Sequence, residues 1–273
     1  MERGTMRGAP PSPSWYGAHA ACATRDGGLV YASDKAVCVL DGETGAVRGL
    51  VGTKARALAV CAATTSETRE GEDDEGGGAR EVVVCGCADK VLRTLDARAM
   101  AFVGKTMTGG HKHEVTATCA RGAGEVASGC RDGTVAVWRV LGNGSPTCAY
   151  KAIDGPITCM AAVGDVIAVG GANGTVCALN ARSGATHRVA ASGYGEITSL
   201  AWTTVGVGEG ETKDLLAVGS RERRVTIWAL EGDKLVNTHE LRLPKPKAAL
   251  SEAQRGRVWV AVAWSPRASG DDK

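Results

Sequence analysis

Residues 126–138 read Val-Ala-Ser-Gly-Cys-Arg-Asp-Gly-Thr-Val-Ala-Val-Trp: an apolar stretch, a turn, and a second apolar stretch that ends on an indole. Asp132 and Gly133 suit a tight turn, because glycine accepts its backbone angles and an Asx side chain can bond the turn's own N–H groups. After the turn, aliphatic side chains alternate with smaller ones, which is the period of a strand with one buried face. The segment reads as strand, turn, strand.

The last seven residues of that stretch form a frame that recurs along the chain: an acid or amide, two variable residues, an aliphatic, two more, then Leu or Trp. It returns as Asp34–Leu40, Asp89–Leu95, Asn173–Leu179 and Glu222–Trp228. Gly86, Gly129, Gly170 and Gly219 each stand three residues before a frame. A further strand precedes each of three frames, at 115–120, 157–161 and 197–202. Frame starts are separated by 55, 43, 41 and 49 residues, near the roughly 40–45 residues of a four-stranded propeller blade. Insertions account for the longer intervals.

Composition agrees with many short strands. The 273 residues include 38 glycines, and 32 basic against 30 acidic side chains leave a formal charge of +2. No apolar run approaches the roughly 18–20 residues needed to cross a bilayer, so no membrane anchor is expected. Residues 1–16 are basic and Pro-rich without an apolar signal core, which argues against secretion. The ten cysteines sit mostly in apolar strand-like runs, as small buried thiols of a cytoplasmic and nuclear protein would. Cys85 and Cys87 lack a second pair at zinc-finger spacing, so no metal is expected, and no cofactor. The chain has no phosphate-cradling Gly-Lys-Ser/Thr loop, zinc-protease helix or nucleophile elbow, so it reads as a non-enzyme.

The five frames resemble WD40 repeats. Gly110-His111, Ser128, Asp132 and Trp138 match that family's structural hydrogen-bond tetrad, which implies blade-stabilising roles for His111, Ser128, Asp132 and Trp138 and no catalytic one. Other repeats end Leu-Asp, Trp-Arg, Leu-Asn or Trp-Ala instead of Trp-Asp. The expected fold is an all-β, WD40-type β-propeller that is incomplete, with about five blades plus the first strand of a sixth. A Pro-rich lead-in covers 1–16, blades cover 17–51, 55–107, 114–151, 155–191 and 196–243, the partial blade covers 257–264, and a tail covers 265–273. An unclosed ring leaves sheet edges exposed, so a fragment of a longer propeller protein, or a truncated gene model of one, is expected. Thr64–Arg80 is an acidic, Gly-rich insertion between strands, and Lys245, Lys247, Arg255 and Arg257 make a basic connection before the last strand.

Some residues are not required by any blade. Trp15 and Tyr16 follow Pro10-Pro-Ser-Pro-Ser14 on a stiffened lead-in, and aromatic faces outside a core are platforms for stacking unpaired bases. Trp259 aligns with Ala57, Val115, Ile157 and Ile197, where an indole is oversized. Pro10–Tyr16, Glu196–Trp202, Leu241–Lys245 and Arg257–Trp264 together resemble the gem-associated protein five family, the RNA-recognising subunits of SMN complexes. The resemblance runs over nearly the whole chain, as the first half or more of that family's N-terminal propeller pair. It implies recognition of the uridine-rich Sm site of small nuclear RNA, and of its methylguanosine cap, in spliceosomal particle assembly. It also implies SMN-complex subunits or other proteins as partners. Carried over by position, Trp15, Tyr16 and Trp259 would stack bases or cap, and Glu196 would accept from a base edge. Lys35 stands where the family has arginine and supplies charge without the bidentate fork. The alternative is a WD40 protein-interaction scaffold that makes no RNA contact.

Overall fold

The computed structural model describes residues 19–65, 80–122, 124–190, 195–207, 211–242, 244 and 260–265. Every regular element among them is a strand, and the strands group into five antiparallel sheets of four, each a simple meander. The first sheet holds β1 (Ala21–Ala23), β2 (Leu29–Ser33), β3 (Ala36–Leu40) and β4 (Val47–Gly52). The second holds β5 (Ala57–Thr65), β6 (Arg80–Cys87), β7 (Leu92–Asp96) and β8 (Ala101–Met107). The third holds β9 (Val115–Arg121), β10 (Glu125–Cys130), β11 (Thr134–Arg139) and β12 (Pro146–Lys151). In the fourth are β13 (Ile157–Val163), β14 (Val166–Gly171), β15 (Thr175–Asn180) and β16 (Thr186–Ala190). The fifth holds β17 (Ile197–Gly206), β18 (Thr212–Ser220), β19 (Arg224–Glu231) and β20 (Lys234–Arg242).

The first strands β1, β5, β9, β13 and β17 neighbour one another in that order, so the sheets radiate as blades from a shared centre. One packing rule repeats between blades. A Cβ added to Gly86 would lie 2.5 Å from Val115 Cγ1, and one on Gly129 would lie 2.8 Å from Ile157 Cγ2. The same atom on Gly170 would lie 2.7 Å from Ile197 Cγ2, and on Gly219 3.1 Å from Val260 Cγ1. The glycine before each frame is therefore required by close approach: the next blade's first aliphatic sits on its backbone. A threonine hydroxyl accompanies the contact, from Thr116 to the Ile157 carbonyl, Thr158 to Ile197 and Thr198 to Val260, each at 2.6 Å.

The first blade meets the rule differently. Its second hairpin is one residue shorter, so Ala32 pairs with Val37 as Gly129 pairs with Val135. The left-handed residue of the turn moves accordingly, to Asp34 (φ 49°), whereas later blades place Lys90, Gly133, Gly174 or Arg223 there. Ala32 and Ala57 then share one buried cluster, and two small side chains replace glycine and a branched aliphatic.

Between blades the cores are apolar. Blades two and three close around Val84, Leu92, Val126 and Trp138, and blades three and four around Val135, Val137, Ile167 and Leu179. Blades four and five close around Val176, Ala178, Leu216 and Trp228. His19 adds a polar tie through the middle. Its carbonyl accepts the Val60 N–H at 2.7 Å and its Nε2 accepts the Met160 N–H at 2.8 Å, joining blades two and four, which are not neighbours.

Gly129→Val should lower stability by about 1–3 kcal/mol, the usual cost of overpacking a filled interior. Gly52→Ala, at a site with nothing within 4 Å, should change it by less than about 0.5 kcal/mol. Thermal denaturation of the two variants checks this, and equal midpoints would remove the close-approach argument.

Candidate functional site

In a four-stranded meander the start of the first strand and the turn between the second and third lie at the same end of the blade. Here they are stitched together. Ala57 N–H donates to the Asp34 carbonyl (2.8 Å), Ala88 to Arg56 (2.9 Å), Arg131 to Glu114 (3.1 Å), Ala172 to Pro156 (3.0 Å) and Arg221 to Glu196 (2.9 Å). Five blades thus present one continuous face made of inter-blade links and second turns.

Lys35 and Glu196 are both on this face. Lys35 is exposed in the β2–β3 turn. Glu196 is half-buried just before β17, with one carboxylate oxygen 2.9 Å from the Arg221 guanidinium. Glu114 holds the equivalent place before β9, between Arg131 (3.6 Å) and Arg56 (3.8 Å). Each carboxylate is oriented by arginine, and guanidinium groups of this kind can also take a phosphate or carboxylate. Arg56, Arg131 and Arg221 were not among the sequence candidates. A signal existed, because Arg131 and Arg221 each immediately precede a frame.

Trp15, Tyr16 and Trp259 lie outside the described residues. The slot assigned to Trp259 by the sequence frame is nevertheless filled, and by its neighbour. Val260 makes the contacts to Gly219 and Thr198 that Ile197 makes to Gly170 and Thr158. The spacing within this strand is one residue shorter than in the fifth blade's first strand. The Trp264 indole donates to the Ala201 carbonyl (2.9 Å) as Trp202 donates to Ala161 (3.2 Å), but it stands four residues after Val260, against five between Ile197 and Trp202. The first strands β5, β9, β13 and β17 each have a register shift near their start, as at Ile197/Ser199, whereas no strand pairs with Val260–Trp264 among the described residues. The oversized-indole reading of Trp259 therefore loses its register.

The tetrad residues assemble as a chain of three. Trp138 Nε1 donates to Ser128 Oγ at 2.7 Å, and His111 Nε2 lies 2.6 Å from the same oxygen, all buried. Asp132 does not close the set. Its Oδ1 takes the Thr134 N–H (2.9 Å) and the Cys130 thiol (2.7 Å), and His111 Nδ1 has no hydrogen-bond partner. Burial works against the Asp132 charge, but those hydrogen bonds outweigh it and hold its pKa at about 2. With Ser128 inaccessible and no acid on the imidazole, these residues hold the blade together and do not form a nucleophilic triad.

The opposite end carries a second repeated device. Asp41 Oδ1 accepts the N–H groups of Glu43 and Thr44, Asp96 those of Arg98 and Ala99, and Asn180 those of Arg182 and Ser183, at 2.9–3.1 Å. These residues directly follow a frame, so the Leu-Asp and Leu-Asn endings are turn formers. All ten cysteines are free thiols; burial pushes Cys61 and Cys159 up to about 12. Among the described residues no group of three or more His, Cys, Asp or Glu could hold a metal ion.

No family model and no curated relative matches this sequence. Solved structures do. A chain in the crystal structure of a mitotic checkpoint complex superposes with a TM-score of 0.62 at 20% identity, covering 82% of this chain and 64% of that one. The structure of U3-55K superposes at 0.56 and 15% identity, covering 87% and 84%. The fold is a WD40 β-propeller. The propeller spans under two thirds of the length of the first of these chains.

Two histidines should give the propeller an acid limb of instability. Burial holds both His19 and His111 at a pKa of about 4, with the Asp132 charge opposing the shift at His111. The unfolded chain takes up these protons near pH 6.5, so the contribution is complete above that pH and is lost as pH falls toward 4. A shift of this size corresponds to on the order of 3 kcal/mol per group. Urea denaturation at pH 7.5 and 4.5 should show a fall that shrinks in His19→Gln, His111→Gln; an undiminished fall would point to other groups.

Proposed function

We propose that this propeller is a single-stranded-RNA-binding platform that recognises small nuclear RNA during spliceosomal particle assembly. It acts in the cytoplasm and nucleus as part of an SMN-like complex, with the uridine-rich Sm site and the methylguanosine cap as its ligands. The observation that carries this reading is an asymmetry of charge between the two ends of the blades. The face with Lys35, Arg56, Arg131 and Arg221 is also the one from which the chain leaves at Pro244 and to which it returns at Val260. Lys245, Lys247, Arg255 and Arg257 lie in that connection. The acidic insertion leaves at Thr65 and returns at Arg80, at the other end of its blade. A polyanion is drawn to the first face and repelled by the second.

On this reading phosphates engage the arginines and lysines, Glu196 accepts from a base edge beside Arg221, and Trp15, Tyr16 and Trp259 supply stacking surfaces. A second reading, a protein-interaction scaffold without RNA, is favoured by the fold itself: one similar chain comes from a multiprotein checkpoint complex.

Binding of a labelled uridine-rich single strand at several salt concentrations separates the two. Lys35→Glu with Arg131→Glu should weaken binding and lower the log–log salt slope by roughly 0.7 for each phosphate no longer neutralised. Trp15→Ala with Trp259→Ala should cost about 1–3 kcal/mol for each base that can no longer stack. Unchanged affinity and slope in both pairs would leave the protein scaffold as the function.

A further inference from the structure

We infer that Asn143, in the β11–β12 turn, is a modification site: it deamidates spontaneously through a succinimide to aspartate and isoaspartate. The chain has four asparagines, and two of them, Asn143 and Asn173, are followed by glycine. In this chemistry the backbone nitrogen of the following residue attacks the side-chain carbonyl, and glycine puts no Cβ beside that nitrogen.

The two Asn-Gly pairs are alike in exposure and local shape. Both asparagines are exposed and both glycines buried, with Gly144 at φ 85° and Gly174 at φ 81°. Both side-chain oxygens accept the N–H two residues on, from Ser145 at 3.0 Å and from Thr175 at 3.1 Å. That bond folds the carboxamide back along its own following peptide and polarises the carbonyl that is attacked.

They differ in the two groups that react. At Asn173 the nucleophile is engaged, because the Gly174 N–H donates to the Gly171 carbonyl at 3.1 Å. The leaving group is engaged too, because Asn173 Nδ2 donates to the Asp154 carbonyl at 3.1 Å. Among the described residues the Gly144 N–H and Asn143 Nδ2 make no such bond. Asn180, followed by alanine, is restrained like Asn173: the Ala181 N–H donates to the Asp165 carbonyl at 2.9 Å and Asn180 Nδ2 to Asp233 at 3.0 Å.

The reaction needs only water. Gly144 N bonds to Asn143 Cγ and gives up its proton, the Cγ–Nδ2 bond breaks, and Nδ2 leaves with that proton as ammonia. Water then opens the imide. Opening at Cγ leaves an aspartate in an unaltered backbone, and opening at the main-chain carbonyl leaves an isoaspartate whose chain runs through Cβ and Cγ. Both add one negative charge. Isoaspartate also adds a backbone atom where space is short, since a Cβ on Gly144 would lie 2.8 Å from the Thr106 carbonyl oxygen. The bond from the Thr108 N–H to the Gly144 carbonyl, 2.8 Å long, joins the turn to the chain leaving blade two and is the contact this change would disturb.

The test is incubation of the whole folded chain in mildly alkaline buffer, then digestion and mass spectrometry of the peptides carrying Asn143 and Asn173. Two hydrogen bonds must break before attack at Asn173, each slowing it severalfold, so Asn143 should deamidate roughly tenfold faster. In urea, where both pairs are released, the rates should converge. The aged chain should accept methyl groups from S-adenosylmethionine with a protein isoaspartyl methyltransferase. Asn143→Ser, which keeps a turn-forming side chain, should remove most of that acceptance. Equal rates at the two sites in the folded chain, or a difference that persists undiminished in urea, overturns the proposal. So does methyl acceptance that Asn143→Ser leaves unchanged.

Discussion

A branched aliphatic pressed onto a glycine backbone sets the spacing of this molecule. At Gly86, Gly129, Gly170 and Gly219 no side chain larger than hydrogen fits, and Val115, Ile157, Ile197 and Val260 occupy the space. The contact brings first strands close enough for a threonine hydroxyl to reach the carbonyl of the next blade. The Ala32–Ala57 interface reaches a similar closeness by sharing the reduction between two residues, which a hairpin one residue shorter makes necessary.

That spacing decides where polar groups emerge. Because the links into blades two to five are each bonded to the second turn of the blade they enter, arginines and carboxylates from separate repeats arrive on one face. Their pairing at Glu114 and Glu196 adds little to stability at such exposure, but it orients charges toward solvent, where a ligand can use them. The buried Trp138–Ser128–His111 chain has the opposite character. Its hydrogen bonds run among the three side chains with His111 Nδ1 left unpaired, and burial keeps the imidazole neutral.

The four interfaces between described blades and the outer side of the fifth blade carry the same side-chain pattern. Val135 and Val225 occupy the same place in the frame; the β14–β15 hairpin buries the first, and the second is half-buried.

The repeat and hence the all-β propeller class were legible in the sequence, because turn chemistry and the alternation of aliphatics are local properties that recur at blade spacing. The glycines before the frames were equally visible. Their cause was not, since the atom that forbids a side chain at Gly129 belongs to Ile157, in the next blade. The same limit applies to the site: Lys35 and Glu196 could be named from position, but Arg56, Arg131 and Arg221 join them only through links between distant repeats. At the last strand the sequence placed Trp259 where Val260 sits, because the register shift seen near the start of β5, β9, β13 and β17 is a property of strand pairing that residue spacing does not show. The pattern of side chains along the chain determined the kind of blade; which residue meets which across blades was decided only by the packing of one backbone against another.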